Sequence, residues 1–257
     1  MNLNKLLKIS TLAGKILIEN GAETYRVEET VVRICLSFGA SSCETFATPT
    51  GIIATVTYNE EVSSLVRRIK KRTVDLNKID SINDLSRKCQ QNTYSLDQFY
   101  RNLLKIENEK RYSKNLTNFL SGISAGSYAV MFGGNFQDFF AAFIIGYLIN
   151  ILASFFSKFQ VNEFFINSLC AGFCAFIAVI LTTFGLNGHY DKIIMGSIML
   201  LVPGLAITNA IRDTIAGDLL AGITKAIEAV LVAMSIAVGT GAVLSILLNL
   251  DQLIIVK

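Results

Sequence analysis

Hydrophobic and polar positions divide the chain into a mixed front half and a strongly apolar rear half. Behind residue 115, five windows are apolar over about the length, roughly 20 residues, that a helix needs to cross the hydrocarbon of a bilayer. The windows cover residues 116–132, 136–157, 164–184, 193–211 and 226–248. Backbone groups cannot stay unpaired in lipid, so each window is predicted to be helical. Residues 116–257 are therefore predicted to form a membrane domain of about five transmembrane helices.

The front half shows shorter amphipathic patterns instead. Its apolar residues recur at helical spacing in four segments, in the second of which Thr24 is predicted to cap the helix start. The predicted helices cover residues 5–20, 24–38, 75–91 and 95–109. The front half thus contains its own small core.

Two predicted strands and a turn separate these helices. The segment CETFATPTGIIATVTY (43–58) is rich in β-branched residues and is interrupted at Pro49, Thr50 and Gly51, which predicts a strand, a turn and a second strand. Residues 63–72 are predicted to add a third strand. The fold class predicted for the whole chain is an α-helical membrane protein with a small α+β domain at residues 1–115.

Charge is concentrated in the front half, which contains 18 of the 23 Lys and Arg residues and 13 of the 20 Asp and Glu residues. Three lysines interrupt residues 1–20, so no secretory signal is predicted there. Lys110, Arg111 and Lys114 directly precede the first apolar window, and positive residues favour the cytosolic side. We expect the front domain in the cytosol, the chain in the cell membrane and the C-terminus outside, although Lys192 would then also lie outside.

Most catalytic and cofactor signatures are absent from the sequence. The five cysteines show neither a zinc-ligand spacing nor an even-numbered disulfide framework, and His189 is the only histidine. No phosphate-binding or dinucleotide-binding glycine motif occurs. The sequence therefore predicts no metal site, no cofactor and no enzymatic activity. One enzymatic alternative is a membrane aspartyl protease, but its Gly-x-Gly-Asp motif is broken here because Ile215 occupies the first position before Asp218.

A basic run at residues 67–72 raises the possibility of nucleic acid. No aromatic residues are interleaved with it, and anionic lipid headgroups are the favoured explanation. We therefore expect a lipid bilayer, and not nucleic acid, among the partners.

The stretch PGLAITNAIRDTIAGDLLAG (203–222) places charges between two very apolar windows. A proline breaks a helix, and the ends of a broken helix in a membrane can bind substrate groups. Asn209 and Asp213 lie one helical turn apart, and the planar fork of Arg212 suits a carboxylate. The predicted substrate-binding residues are Pro203, Gly204, Thr208, Asn209, Arg212 and Asp213.

Three acidic side chains are candidates for carrying a coupling proton: Asp213, Asp218 and Glu228. An alternative remains open, in which these charges only form a solvated cytosolic turn between two spans.

Three stretches together resemble the threonine/serine exporter family in its short form: GAETYRVEETVVRIC (21–35), ATPTGI (47–52) and the charged stretch at 203–222. They occur in the same order over nearly the whole chain. The family positions that the resemblance carries over are Glu23, Arg26, Glu28, Pro49, Thr50, Gly51, Pro203, Gly204, Asn209, Arg212, Asp213, Gly217 and Asp218.

The resemblance implies a cytosolic domain followed by five spans, and ion-gradient-driven export of small hydrophilic metabolites. It also implies a second small membrane subunit, because the bundle that longer relatives contain is missing. The function predicted from these features is a proton-coupled exporter subunit for threonine, serine or similar amino acids, working with that subunit or as a homo-oligomer. Two alternatives are a dicarboxylate exporter subunit and a membrane-anchored interaction or regulatory protein. We further expect the front domain to fold against the inner mouth of the bundle, with the turn at Pro49 near Arg212.

Overall fold

The computed structural model describes residues 2–91, 94–109, 112–159, 161–183, 185 and 188–255. Lys110 and Arg111, on which the predicted orientation depends, lie outside these residues. The elements in chain order are α1 (Leu3–Glu19), α2 (Thr24–Ser37), β1 (Ser42–Thr48), β2 (Gly51–Tyr58), β3 (Glu61–Arg68), α3 (Leu76–Gln90), α4 (Leu96–Glu107), α5 (Lys114–Met131), α6 (Phe136–Ser157), α7 (Glu163–Thr183), α8 (Tyr190–Ile198), α9 (Gly204–Ala216) and α10 (Leu219–Ile255).

The chain divides into two compact units. The first, here called the front unit, comprises Met1–Lys110 and Gly204–Glu228. The second, the rear unit, comprises Arg111–Pro203 and Ala229–Lys257. The front unit therefore includes α9 and the first residues of α10, which are far from its other elements in sequence.

The sheet of the front unit is antiparallel with the order β1-β2-β3. A turn at Pro49 and Thr50 joins the first two strands, which confirms the predicted strand, turn and strand. Asn59 and Glu60 both have positive φ and form the second turn, as the type I′ hairpin turn requires. The third strand is also confirmed, although it begins at Glu61 and ends at Arg68.

The front unit contains the four helices that the apolar spacing predicted. The helices α1 and α2 pack against the sheet, and α3 and α4 pack on these two helices. Leu6 and Leu7 of α1 are fully buried together with Val56 of β2. The helix α3 begins at the cap residue Asp75, and α4 begins with a capping box built by Ser95 and Gln98. These caps satisfy amide groups that would otherwise lack partners at a helix start.

Three helices among the described residues are long and apolar enough to cross a membrane: Phe136–Ser157, Glu163–Thr183 and Leu219–Leu247. They match three of the five predicted spans. The first predicted window forms α5, which has 18 residues but is not apolar enough to qualify as a membrane span. Five spans are therefore not confirmed, whereas a mostly helical membrane protein is.

The fourth predicted window is interrupted, as its proline predicted. The helix α8 ends at Ile198, and α9 begins at Gly204 directly after Pro203. Residues 212–225, which separate the fourth and fifth predicted windows, are mostly helical, because only Gly217 and Asp218 lie outside helices there. The polar side chains of this segment find partners within the front unit, so they need no extended solvated loop. Gly217 has φ +97°, a conformation that glycine adopts without strain.

Small residues allow close helix packing in the rear unit. A Cβ atom added to Gly122 or Gly126 of α5 would lie 2.8 Å from a main-chain oxygen of α6. Cys170 and Cys174 are fully buried in the rear core, where they pack among apolar side chains.

One buried charge interrupts that apolar interior. Asp138, in the first turn of α6, is fully buried and accepts hydrogen bonds from the main-chain N–H groups of Asn135 and His189, both at 2.7 Å. The Nδ1 atom of the His189 ring lies 3.1 Å from Oδ2 of Asp138, the oxygen that also accepts from the N–H of Asn135. The histidine side chain is 58% exposed. The charge is thus satisfied by the start of α6 and by the residue that precedes α8.

Candidate functional site

The side chain of Asp213 is fully buried in the front unit and is surrounded by donors. One carboxylate oxygen accepts from the main-chain N–H of Thr24 at 2.9 Å. The other accepts from the Thr24 hydroxyl at 3.0 Å and from Nζ of Lys225 at 2.7 Å. The carboxylate thus lies at the N-terminus of α2, where the helix dipole stabilises a negative charge.

The start of α2 differs from its predicted form. Thr24 was expected to cap the helix, but it is the first helical residue, and the preceding Glu23 provides no side-chain cap. The acceptor for the first amide comes from Asp213, 189 positions away. A local pattern could not reveal this partner.

Helical spacing explains how α9 presents two polar groups together. Asn209 and Asp213 are four residues apart on the buried face, with exposures of 4% and 0%. The Asn209 amide donates to the carbonyl oxygen of Gly21 at 2.8 Å. The prediction that these two residues share a face is confirmed, and both contact the segment that leads into α2.

Two arginines share one glutamate beside this pair. Oε1 of Glu23 lies 2.6 Å from NH1 of Arg212, and Oε2 lies 3.2 Å from Nε of Arg26. Glu23 is largely buried, with its side chain 11% exposed, whereas the two arginine side chains are 55% and 41% exposed. We call this group the arginine clamp. Its guanidinium groups are accessible while the acid between them is covered.

Two further carboxyl groups of the front unit are pushed toward the neutral form. Burial raises the pKa of Glu28, and the charges of Asp218 and Asp213 raise it further, against the hydrogen bond from the Ala47 N–H. Burial also raises the pKa of Asp218, with a second contribution from Asp213 and an opposing one from Lys225. Both groups therefore bind a proton more readily than ordinary carboxylates do.

The remaining predicted residues of 203–228 lie apart from the clamp. Thr208 is exposed, and its hydroxyl donates to the carbonyl of Gly204. Pro203 is partly buried ahead of α9. Glu228 accepts from Arg72 at 2.6 Å, so an ion pair occupies this candidate for proton coupling.

The turn between β1 and β2 has its own contacts. Pro49 is buried, Thr50 is exposed, and the Thr50 carbonyl accepts from the N–H of Ile69 at 2.9 Å. The side chain of Arg212 donates its hydrogen bond to Glu23, which does not belong to this turn.

Sequence reasoning assigned no role to Lys225 or to the main chain at Gly21 and Thr24. Lys225 is an isolated cation in a helix apolar enough to span a membrane, and ionisable residues there are usually paired. That signal could have led to Lys225. The contacts with Gly21 and Thr24 leave no trace in the sequence spacing.

The arrangement has a definite chemical capacity. Guanidinium groups bind carboxylates through two parallel hydrogen bonds, and two of them face one carboxylate here. Carboxyl groups with raised pKa values belong to the same unit, and each can take up a proton or attract an ammonium group. The cluster can thus recognise small ions with a carboxylate.

Comparison with known proteins identifies the family. The family model described as "Putative threonine/serine exporter" matches residues 8–247. The Escherichia coli (strain K12) protein named "Probable succinate transporter subunit YjjP" is 23% identical over 238 residues, which cover 91% of this chain and 91% of that protein. The Klebsiella aerogenes protein of the same name is 22% identical over 228 residues, with 87% and 86% covered. No solved structure matches the chain significantly. The chain belongs to the threonine/serine exporter family.

Proposed function

We propose that the chain is a subunit of a secondary-active exporter for small hydrophilic metabolites with a carboxylate, such as threonine and serine. The observation that supports this most is the arginine clamp, in which Arg212 and Arg26 hold the single carboxylate of Glu23. Both arginines come from stretches on which the family resemblance rests.

Glu23 has the chemistry of a substrate carboxylate. A substrate that enters the clamp would replace Glu23 on one or both arginines, at the cost of the existing ion pairs. Because the arginine side chains are about half exposed, they can change partner without first leaving a buried environment. Glu23 would then act as an internal competitor that occupies the clamp when no substrate is bound.

Proton coupling belongs to the same proposal. Of the three predicted carriers, Asp213 is engaged by Lys225 and Thr24, and Glu228 is engaged by Arg72. We therefore assign Asp213 the role of an anchor. Asp218, together with Glu28, is the preferred proton carrier because both pKa values are raised.

The mixture of charges favours an amino acid as substrate. A carboxylate would bind at the clamp, and an ammonium group would be attracted by Asp218 or Glu28. Succinate is the second candidate, because the two relatives are named as subunits of a succinate transporter. It would need a second cationic site for its other carboxylate.

The assembly is proposed from the same relatives. Their names describe a subunit, so we propose a second small membrane subunit, or further copies of this chain, as partners. We also propose the cell membrane as location, with the front domain in the cytosol and the C-terminus outside.

Transport can be tested in proteoliposomes that contain this chain with and without its candidate partner subunit, loaded with labelled threonine or labelled succinate. Under an imposed proton gradient, we expect efflux of threonine and a changed KM in the Glu23→Gln variant. The matched control is Glu29→Gln, since Glu29 lies on the same helix and pairs with Arg33 outside the clamp. Unchanged transport in an Arg26→Gln, Arg212→Gln double variant would contradict the proposal.

A membrane-anchored interaction or regulatory protein is the second candidate. It is favoured by the complete satisfaction of Asp213, which suits a permanent structural contact as well as a moving one. Cysteines introduced singly at positions 204–218 distinguish the two functions by their labelling with membrane-impermeant reagents. A stripe whose labelling threonine reduces supports transport, and labelling insensitive to substrate supports the alternative.

A further inference from the structure

Two cysteines of the front unit lie in the same small core, although the sequence predicts no disulfide framework. Cys35 belongs to the last turns of α2, and Cys43 is the second residue of β1. Both contribute to one hydrophobic cluster with Val31 and Val56. Both are free thiols.

The chain path explains why the two thiols meet. The helix α2 ends at Ser37 and β1 begins at Ser42, so the connection is very short. The N–H of Ala40 donates to the Cys35 carbonyl at 3.2 Å, which turns the chain back on the helix end. Burial alternates along β1 and places Cys43 on the covered face of the strand, toward the helix that packs there.

The two thiols differ in exposure and in acidity. Cys35 is fully buried, whereas Cys43 is partly exposed. Hydrogen bonding to the Cys35 thiol lowers the pKa of Cys43 to about 7, and the hydroxyl of Thr45, 3.7 Å from the Cys43 sulfur, acts in the same direction. Hydrogen bonding to Cys43 and burial raise the pKa of Cys35. One thiol is thus accessible and partly ionised at neutral pH, and its neighbour remains a protonated donor.

We propose that Cys35 and Cys43 form an oxidant-sensitive dithiol, in which Cys43 reacts first and Cys35 resolves the product to an intramolecular disulfide. The oxidant class is a hydroperoxide. Reactive cysteines are partly exposed thiolates near a second thiol, whereas buried structural cysteines are inert. This modification site is independent of the arginine clamp.

The reaction balances in two steps. The Cys43 thiolate attacks the outer oxygen of the peroxide, the O–O bond breaks, and hydroxide leaves from hydrogen peroxide. Cys43 is oxidised to a sulfenic acid while the peroxide is reduced. The Cys35 sulfur then attacks the Cys43 sulfur, the S–O bond breaks, and the released hydroxide takes the Cys35 proton and leaves as water. The loss of the Cys43 negative charge in the first step removes one reason why Cys35 holds its proton.

The first test measures reactivity without mutation in the full-length, detergent-solubilised protein. We expect iodoacetamide to alkylate Cys43 about 100-fold faster than Cys89 at neutral pH. Cys89 is a matched control because it is buried in the same unit and its pKa is raised to about 11. The Cys43 rate should rise with pH to a plateau with a midpoint near its pKa. Equal rates for the two cysteines would overturn the proposal.

The second test follows the disulfide. Tryptic cleavage at Arg33 and Arg67 leaves both cysteines in one peptide, which should lose two hydrogens and bind no maleimide after treatment with one equivalent of hydrogen peroxide. In Cys35→Ala, dimedone should trap a sulfenic acid at Cys43. In Cys43→Ser, Cys35 should stay reduced, and Cys89→Ser should behave as the wild type. A wild-type peptide that stays fully reduced, or that crosslinks only between two molecules, would refute the proposal.

Discussion

Among the residues whose burial is described, two aspartates are fully buried, Asp213 in the front unit and Asp138 in the rear unit, and their charges are stabilised in different ways. Asp213 is neutralised by the permanent cation Lys225 and by a helix start that lies 189 positions away in sequence. Asp138 is satisfied by the main-chain N–H groups of Asn135 and His189 and by the exposed ring of His189. The first charge is paired with a lysine side chain, whereas the second accepts mainly main-chain N–H groups, one at the start of α6 and one from the residue before α8.

This difference determines how much free energy of unfolding is lost when each aspartate is replaced. A buried ion pair that loses one partner leaves an uncompensated charge in a nonpolar environment. Replacing Asp138 by asparagine removes the negative charge itself and leaves no lysine or arginine without its ion-pair partner. Replacing the two aspartates is therefore expected to lower the free energy of unfolding by different amounts, although both side chains are fully buried.

The largest effect is expected at Asp213. The variant Asp213→Asn would leave Lys225, whose side chain is 13% exposed, without its anionic partner and with only the neutral acceptors of Ala22 and Thr24. We therefore expect a loss of about 3–5 kcal/mol in the free energy of unfolding. Denaturant unfolding of the full chain in detergent measures this. The double variant Asp213→Asn, Lys225→Met serves as control and should recover much of the loss. If the loss in the double variant equalled the sum of the losses in the two single variants, Asp213 and Lys225 would not be an energetically coupled pair.

A smaller effect is expected at Asp138. The amide in Asp138→Asn can accept only some of the bonds that the carboxylate accepts, and we expect a loss of about 1.5–3 kcal/mol. The same unfolding assay applies, with His189→Gln to separate the contribution of the ring from that of the main chain. A loss as large as that in Asp213→Asn would mean that the two sites do not differ as described.

The dependence of stability on pH sharpens the comparison for the front unit. The pKa values of Glu28 and Asp218 are raised by burial and by neighbouring acids. Their contribution to stability is therefore fully present below the ordinary carboxyl pKa of about 4 and is lost as the pH rises through the raised values. Glu28→Gln should flatten this decline, and Glu29→Gln should leave it unchanged. A decline of the same slope in the Glu28 variant would exclude Glu28 as its source.

The smallest effect is expected at Arg72 and Glu228. The nitrogen–oxygen distance between Arg72 and Glu228 is 2.6 Å, close to the 2.7 Å between Lys225 and Asp213. The side chains of Arg72 and Glu228, however, are 43% and 32% exposed. Exposed ion pairs contribute about 0–1 kcal/mol, so Arg72→Gln should change the unfolding free energy by no more than that. Added salt should reduce even this contribution. A loss above 2 kcal/mol, roughly twice that upper limit, would show that burial is not what separates the two pairs.

Much of the fold could be predicted from the sequence because it depends on local periodicity. The front helices, the three strands, three spans and the break at Pro203 follow from apolar spacing and turn residues. The shared face of Asn209 and Asp213 follows from helical spacing alone. These features need no knowledge of distant contacts.

The partners of the candidate site could not be predicted in the same way. Spacing shows that Asp213 belongs to a helix face, but it does not show that Thr24 and Lys225 meet that face. The helical structure of residues 212–225 was hidden for the same reason, since the partners of Arg212 and Asp213 cannot be read from spacing. The assignment of α9 to the same unit as residues 1–110 was equally hidden from local patterns.

The long separation between Thr24 and Asp213 also has a consequence for biosynthesis. Ribosomes add about 5–20 residues per second, so Asp213 is made roughly 10–40 seconds after Thr24. During that interval the first amide of α2 must be hydrated or held by another molecule. Nascent chains shorter than about 225 residues lack Lys225 as well, and proteases or chaperones meet them before α2 has the final acceptor for its first amide.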